Sequence, residues 1–288
     1  MKIEKRKFGN KNEYLSVLGL GGIVIKGLDQ YSSDSIVSDA VSEGINYFDV
    51  SPGYGNAEQL LGPSLKKYRL NSFLACKTNK RTEKEATKEL YNSLDVLKTD
   101  YLDLYQLHAM KNDDDFEKVM ADDGAIKTLQ KAKEKGLVKY LGFSCHSEKV
   151  AKRLIKSFDF DSILMPVNWS VYLKYGFGSE LLDIAKEKNL AILALKSMAL
   201  QMWDDPKNRK YKNCWYEPID DPHFAELALK FTLSKPVTSL LSPGDPKLFR
   251  LALKFIKNYS PISSQEIKEL KDFSYKINPI GSETEIFI

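Results

Sequence analysis

The chain has 288 residues, 43% of them apolar, and a net charge of +4. That apolar content can fill one large core of the size an eight-fold β/α barrel needs, and so small and evenly mixed a charge excludes a nucleic-acid surface built on a basic face. Met1–Phe8 lacks the apolar centre of a secretory leader, no run approaches ~18 uncharged apolar residues, and Cys76, Cys145 and Cys214 are too scattered for a disulfide or zinc framework, so a cytoplasmic protein with reduced thiols and no membrane partner is expected.

The elements alternate along the chain. Ile3–Asn12 reads as a small hairpin turning at Gly9-Asn10, placed to plug the amino end of a barrel. Strand candidates follow at 15–22, 46–50, 73–78, 102–108, 139–145, 162–168, 190–197 and 237–242. They are runs of apolar residues rather than alternations, as in a parallel sheet covered on its outer face. Amphipathic stretches at 33–43, 57–67, 82–97, 124–135, 147–157, 179–188, 222–234 and 246–258 supply the helices. Gly44 and Gly136 suit left-handed caps, Asp221-Pro222 a helix start, and Ser263-Ser264-Gln265-Glu266 a capping box opening one more helix near 264–273. The fold class is α/β: a (β/α)8 TIM barrel, one domain over 1–288, with an N-terminal β-hairpin and long loops after strands 4 and 7. Those loops are 109–123, with the acidic run Asp113-Asp114-Asp115, and 198–221, with Trp203, Tyr211, Trp215 and Tyr216. Both lie on the active-site face. The acidic run is consecutive and hence splayed, which suits a solvated loop or helix start better than a metal site.

In a parallel barrel the carboxyl ends of the strands share one mouth. Asp49, Lys77 and His108 stand at or beside three successive strand ends, and Tyr54 lies on the loop after the first. A phenol of pKa roughly 10 can protonate a carbonyl oxygen that is becoming an alkoxide if a nearby ammonium makes it more acidic. An aspartate can keep that lysine charged, and a histidine can orient the carbonyl by a hydrogen bond. No G-x-S-x-G elbow, HExxH or P-loop is present.

Phe48-Asp49-Val50-Ser51-Pro52-Gly53-Tyr54-Gly55, with Glu58-Gln59-Leu60-Leu61-Gly62 after it, closely resembles the second-strand motif of the aldo-keto reductases. The resemblance continues through Lys77, through Asp100–His108 and through Gly136–Ser144, and Leu18-Gly19-Leu20-Gly21-Gly22 is similar to that family's opening strand. It implies a barrel that binds NADPH, with NADH possible, and reduces an aldehyde or ketone. Tyr54 would be the general acid, Lys77 its activator, Asp49 the partner of Lys77, and His108 the group that orients the carbonyl. Cofactor contacts would come from Gly22, Ile23, Asp49, Ser144, Asn168, Lys196, Ser242 and Gly244, with Lys247 or Arg250 on a 2′-phosphate. The chain departs from the pattern in three places. Cys145 follows Ser144 where the family often has asparagine, the sixth strand lacks its usual glutamine, and Leu195-Lys196-Ser197-Met198 offers no aromatic for the nicotinamide.

The expected partner is a small carbonyl compound and no metal ion, with the chain a monomer or weak homo-oligomer. Two other readings stay open at this level. One is a non-catalytic, cofactor-binding regulatory protein on the same fold. The other is a barrel aldolase using Lys77 or Lys196 as a Schiff base. The short tail ending at Ile288 suggests an open pocket.

Overall fold

Eight parallel strands close into a barrel in the computed structural model, which describes residues 3–286. The chain opens with β1 (Lys5–Lys7) and β2 (Tyr14–Ser16), an antiparallel pair in the register Arg6↔Leu15. It then runs β3 (Leu18–Gly21), α1 (Gln30–Ser42), β4 (Tyr47–Asp49), α2 (Ala57–Leu65), β5 (Phe73–Thr78), α3 (Glu83–Leu97), β6 (Leu102–Met110), α4 (Asp113–Met120), α5 (Ile126–Glu134) and β7 (Val138–Cys145). The second half is α6 (Glu148–Ser157), β8 (Ser162–Pro166), α7 (Trp169–Tyr175), α8 (Ser179–Glu187), β9 (Ala191–Leu195), β10 (Ala199–Gln201), β11 (Glu217–Pro218), α9 (Pro222–Leu233), β12 (Ser239–Leu241), α10 (Pro246–Lys257) and α11 (Ser264–Ser274). The barrel order is β12-β3-β4-β5-β6-β7-β8-β9, closed by β12 on β9. Met1, Lys2, Phe287 and Ile288 lie outside the described residues.

The barrel interior is packed with Tyr47, Phe73, Leu104, Leu164 and Leu193, and the hairpin plugs its amino end by inserting Phe8 and Leu15 into that set. Phe8 is fully buried against the Phe73 and Tyr140 rings. Truncating such a side chain typically costs about 3–5 kcal/mol. Gly9 makes the turn possible: its φ is +56°, and a Cβ there would run into the Asn189 carbonyl. A second, larger core lies between strands and helices and includes Val37, Leu61, Leu90, Leu129, Leu154 and Phe231. Both faces of the strands are thereby covered, which is why they read as continuous apolar runs.

Two expectations needed revision. The 109–123 stretch holds a helix, α4, whose amino end is capped by Asn112 and carries Asp113, Asp114 and Asp115 in its first turn. The predicted strand end at 166–168 leads into α7, which the sequence does not announce because Trp169–Tyr175 is rich in aromatic and β-branched residues. The 198–221 loop is tied by a short antiparallel pair, Ala199↔Pro218. No described helix is long and apolar enough to cross a membrane.

Candidate active site

Asp49 ends β4 opposite Ala75 of the neighbouring strand β5, and Lys77 sits two residues further along, one residue from the end of β5. Both side chains are buried, and they form an ion pair. A buried pair survives only if its remaining valences are satisfied. Here Asp49 Oδ2 accepts from Tyr47 OH (3.1 Å) and from Gln106 Nε2 (3.2 Å), while Lys77 Nζ also donates to the Val50 carbonyl (3.3 Å). Burial alone would lower the Lys77 pKa. The Asp49 carboxylate, with Tyr54, outweighs burial, the net shift is upward, and the group is an ammonium.

The turn after β4 carries Tyr54 back over this pair, closed by Tyr54 N–H to the Ser51 carbonyl (3.0 Å) and by Gly55 at φ +60°. Lys77 Nζ lies 5.5 Å from the centroid of the phenol ring. Burial raises the Tyr54 pKa, and Lys77 opposes that rise without cancelling it. The lysine acts in the expected direction, favouring the phenolate, but burial outweighs it and the phenol is protonated at neutral pH.

His108 meets Tyr54 edge-on, with ring centroids 5.8 Å apart and an interplanar angle of 80°. Burial, reinforced by Lys77, Arg81 and Lys111, holds its pKa well below the usual histidine range. The imidazole is therefore neutral. Ser51 Oγ lies 3.1 Å from Nδ1 and accepts from the Gly53 N–H (3.3 Å). With the hydroxyl donating to Nδ1, the ring proton is on Nε2, the tautomer in which His108 can offer a donor. The next residue, Ala109, has a left-handed φ of +51°, a conformation that costs a non-glycine residue about 1–2 kcal/mol. It is held by Ala109 N–H to Ser144 Oγ (2.7 Å) and by Arg81 Nη2 to the His108 carbonyl (2.9 Å), with Arg81 Nε braced on Asp115 (2.7 Å).

Tyr54, His108 and Asp49 line a cavity of about 220 Å³ at the carboxyl end of the barrel. Of the residues expected to touch a cofactor, Ile23, Asp49, Ser144, Lys196, Ser242 and Gly244 line this cavity. Gly22 does not: a Cβ there would meet Val50 Cγ2 at 2.7 Å, so it is a packing glycine, and Gly21 lines the cavity instead. Asn168 is buried, with its amide spent on the Lys196 and Ala199 carbonyls (3.0 and 2.8 Å) and its oxygen capping α7. Lys247 is exposed in the first turn of α10, where its N–H donates to the Asp245 carboxylate (2.7 Å). Arg250 lines a separate cleft between α1 and α10, beside Asp39 and Glu43.

The aromatic loop does form a wall, through Asn213, Cys214, Trp215 and Tyr216. Asn213 Nδ2 ties it across the mouth to the Ile23 and Lys26 carbonyls (3.3 and 3.0 Å). Sequence reasoning missed Lys111 and His146, which also line the cavity. Their position directly after strands β6 and β7 was the signal that could have found them. In the carboxyl-terminal segment, Ile286 N–H bonds the His146 carbonyl (3.0 Å) and Ile280 and Ile286 pack with Val171 and Tyr216. That contact sets the segment beside His146, and none of its described residues lines the cavity. No group of three or more metal-ligating side chains occurs among the described residues.

The Aldo/keto reductase family model matches residues 17–272. The oxidoreductase YqkF of Bacillus subtilis (strain 168) is 26% identical over 93% of this chain and 96% of its own length. Dihydrodiol dehydrogenase 3 of Bos taurus is 23% identical over 94% of this chain and 87% of its own. Among solved structures, the holo form of aldo-keto reductase AKR11C1 from Bacillus halodurans superposes with a TM-score of 0.74 at 22% identity, covering 94% of this chain and 96% of that one, a likeness of fold.

Proposed function

Because the chain belongs to the aldo/keto reductase family, and is thereby an oxidoreductase, we propose that it reduces an aldehyde or ketone to the alcohol, with NADPH as reductant and Tyr54 as the proton donor. The observation that carries this reading is the arrangement at the barrel mouth: a protonated phenol and a neutral imidazole, with ring centroids 5.8 Å apart, line one cavity, and a charged lysine is buried 5.5 Å from the phenol ring.

The cavity suits the nicotinamide end of such a cofactor. Part of its wall is apolar, made by Ile23, Leu164, Leu195, Leu241, Trp215 and Tyr216, with the Ser144 and Ser242 hydroxyls among its polar groups. Ser144, Ser242, Ile23 and Gly244 are the residues proposed to hold it. The nicotinamide, when bound, supplies a hydride. The chain's own residues manage the proton. Tyr54 gives its proton to the carbonyl oxygen as negative charge builds there, and the Lys77 ammonium stabilises the phenolate left behind. Asp49 keeps Lys77 charged and in place. His108, neutral with its proton on Nε2, donates a hydrogen bond to the same oxygen. Such donors, already oriented in a dry site, need no reorganisation during the reaction.

The preference for NADPH rests on Lys247, which opens α10. Arg250 lines another cleft and is not needed for it. Asp245 sits on the same helix start, so Lys247 must offset a carboxylate as well as attract a phosphate. Oxidation of NADPH followed against a panel of aldehydes and ketones tests the reading, and a parent protein that binds NADPH but turns over none of them supports the regulatory alternative instead. For the aldolase reading, Lys77 is locked as an ammonium and cannot form an imine, which leaves Lys196. Borohydride in the presence of a carbonyl compound is expected to leave Lys196 unmodified.

A further inference from the structure

The cavity carries a second group of polar side chains that proton transfer does not use. Lys111 follows β6, His146 follows β7 and Lys196 follows β9, and all three line the space that Tyr54 and His108 line. Lys196 is 5% exposed, and its Nζ lies 3.2 Å from His146 Nδ1. Among the described residues Asp49 is the one carboxylate lining the cavity, and it is committed to Lys77, Tyr47 and Gln106.

A buried amine without a counter-charge is costly to keep protonated. Burial, aided by the charge of Lys111, lowers the Lys196 pKa to about 7, and burial together with Lys196 keeps His146 neutral. The backbone is nonetheless shaped to hold this lysine here. Lys196 has φ +63°, a left-handed conformation that side chains rarely adopt. The Asn168 amide fixes that turn by donating to the Lys196 and Ala199 carbonyls. The result is a pocket wall that lacks a negative charge.

We propose that Lys196 and His146, with exposed Lys111 beside them, form an oxyanion subsite for the substrate, so that the carbonyl compounds this protein reduces carry a carboxylate. The substrate clause rests on the reductase reading; the subsite does not. An entering carboxylate supplies the missing counter-charge, and Lys196 becomes a full ammonium. His146 Nδ1 accepts one of its three hydrogens, leaving the others for the anion. The surrounding Leu164, Leu195 and Trp215 exclude water, which strengthens a charge-assisted bond. The cofactor's phosphates are the other source of such an oxyanion, and the test separates the two.

The parent, Lys196→Met and Lys111→Met are compared on 4-carboxybenzaldehyde and on its neutral methyl ester, methyl 4-formylbenzoate, with NADPH as reductant. The dissociation constant of NADPH is measured separately by tryptophan fluorescence. The parent is expected to favour the carboxylate by about tenfold or more in kcat/KM. Lys196→Met is expected to cut the acid-to-ester ratio of kcat/KM by about 10- to 100-fold. Lys111→Met is expected to show a smaller loss of the same kind. Equal losses on acid and ester, or a loss confined to NADPH affinity, overturn the proposal; the latter assigns the oxyanion to the cofactor. A calorimetric titration with 4-(hydroxymethyl)benzoate against its methyl ester needs no turnover. Tighter binding of the acid, lost in Lys196→Met, supports the subsite even if the parent reduces neither aldehyde, in which case the reductase reading falls alone. Equal binding of acid and ester overturns the subsite and leaves the reductase reading standing.

Discussion

Removing one partner of the Asp49–Lys77 pair is predicted to cost far more stability than removing both, with the same consequence for turnover. Both side chains are essentially inaccessible to water. Lys77→Met strands a carboxylate that keeps only the neutral donors Tyr47 OH and Gln106 Nε2, and Asp49→Asn strands an ammonium that keeps only neutral acceptors, the Val50 carbonyl and the new amide oxygen. Stranding a buried charge typically costs about 3–5 kcal/mol. In a chain of this size, at roughly 2–4 °C per kcal/mol, each single variant should melt on the order of 10 °C lower. Asp49→Asn with Lys77→Met leaves no charge behind and should recover to within about 2 kcal/mol of the parent, giving a coupling of several kcal/mol in the double-mutant cycle. Turnover should not recover. Without the ammonium, Tyr54 has only the environment that raises its pKa, and roughly 10²-fold or more is expected to be lost in Lys77→Met and in the double variant alike. The assays are denaturant unfolding and NADPH oxidation on the same preparations. A double variant whose destabilisation equals the sum of the singles would show the pair to be uncoupled. A Lys77→Met enzyme as active as the parent would refute the role given to the lysine.

Tyr54→Phe is expected to keep the fold and NADPH affinity while losing about 10²-fold or more in turnover; near-parental rates would remove Tyr54 as the acid. His108→Ala should depress carbonyl turnover with the NADPH dissociation constant changed no more than a few-fold, and a collapse of cofactor affinity would reassign His108 to structure. Because His108 and His146 have folded-state pKa values below the unfolded value, the unfolded chain takes up protons that the folded chain refuses as pH falls below ~6.5. Stability is therefore lost on acidification through that range, by up to ~1.4 kcal/mol per pH unit for each histidine, and His146→Gln should flatten the slope measured by denaturant unfolding. Lys196, at about 7 when folded, follows the same sign at higher pH: the unfolded lysine stays protonated up to ~10.4, so stability rises as pH climbs from 7 toward 10. Lys196→Met should therefore be more stable than the parent at pH 7 by an amount that shrinks by pH 10, and no difference at pH 7 would contradict the buried, unpaired amine. Lys247→Ala should narrow a tenfold or greater preference for NADPH over NADH (~1.4 kcal/mol) by weakening NADPH, whereas Arg250→Ala should leave it unchanged; equal affinities in the parent would refute the preference itself.

The alternation of apolar runs and amphipathic stretches was sufficient for the barrel, because strands buried on both faces and helices buried on one leave different periods in a sequence. The positions of Asp49, Tyr54, Lys77 and His108 were legible for the same reason: a strand end is a local property, and in a parallel barrel all the carboxyl ends share one mouth. Other features depended on packing between residues far apart in the chain. Whether the pull of Lys77 on the Tyr54 proton outweighs the burial of the phenol depends on how much water the neighbouring strands exclude, and no local pattern records that. The commitment of Asn168 to the turn at Lys196, the diversion of Arg250 to a cleft on α1, and the meeting of Lys111, His146 and Lys196 are products of three-dimensional closure. Sequence alone placed Asp49, Tyr54, Lys77 and His108 at the carboxyl ends of the barrel strands or just after them. Only the tertiary structure decided their protonation states and partners, because burial and the distance between charges are set by the whole fold.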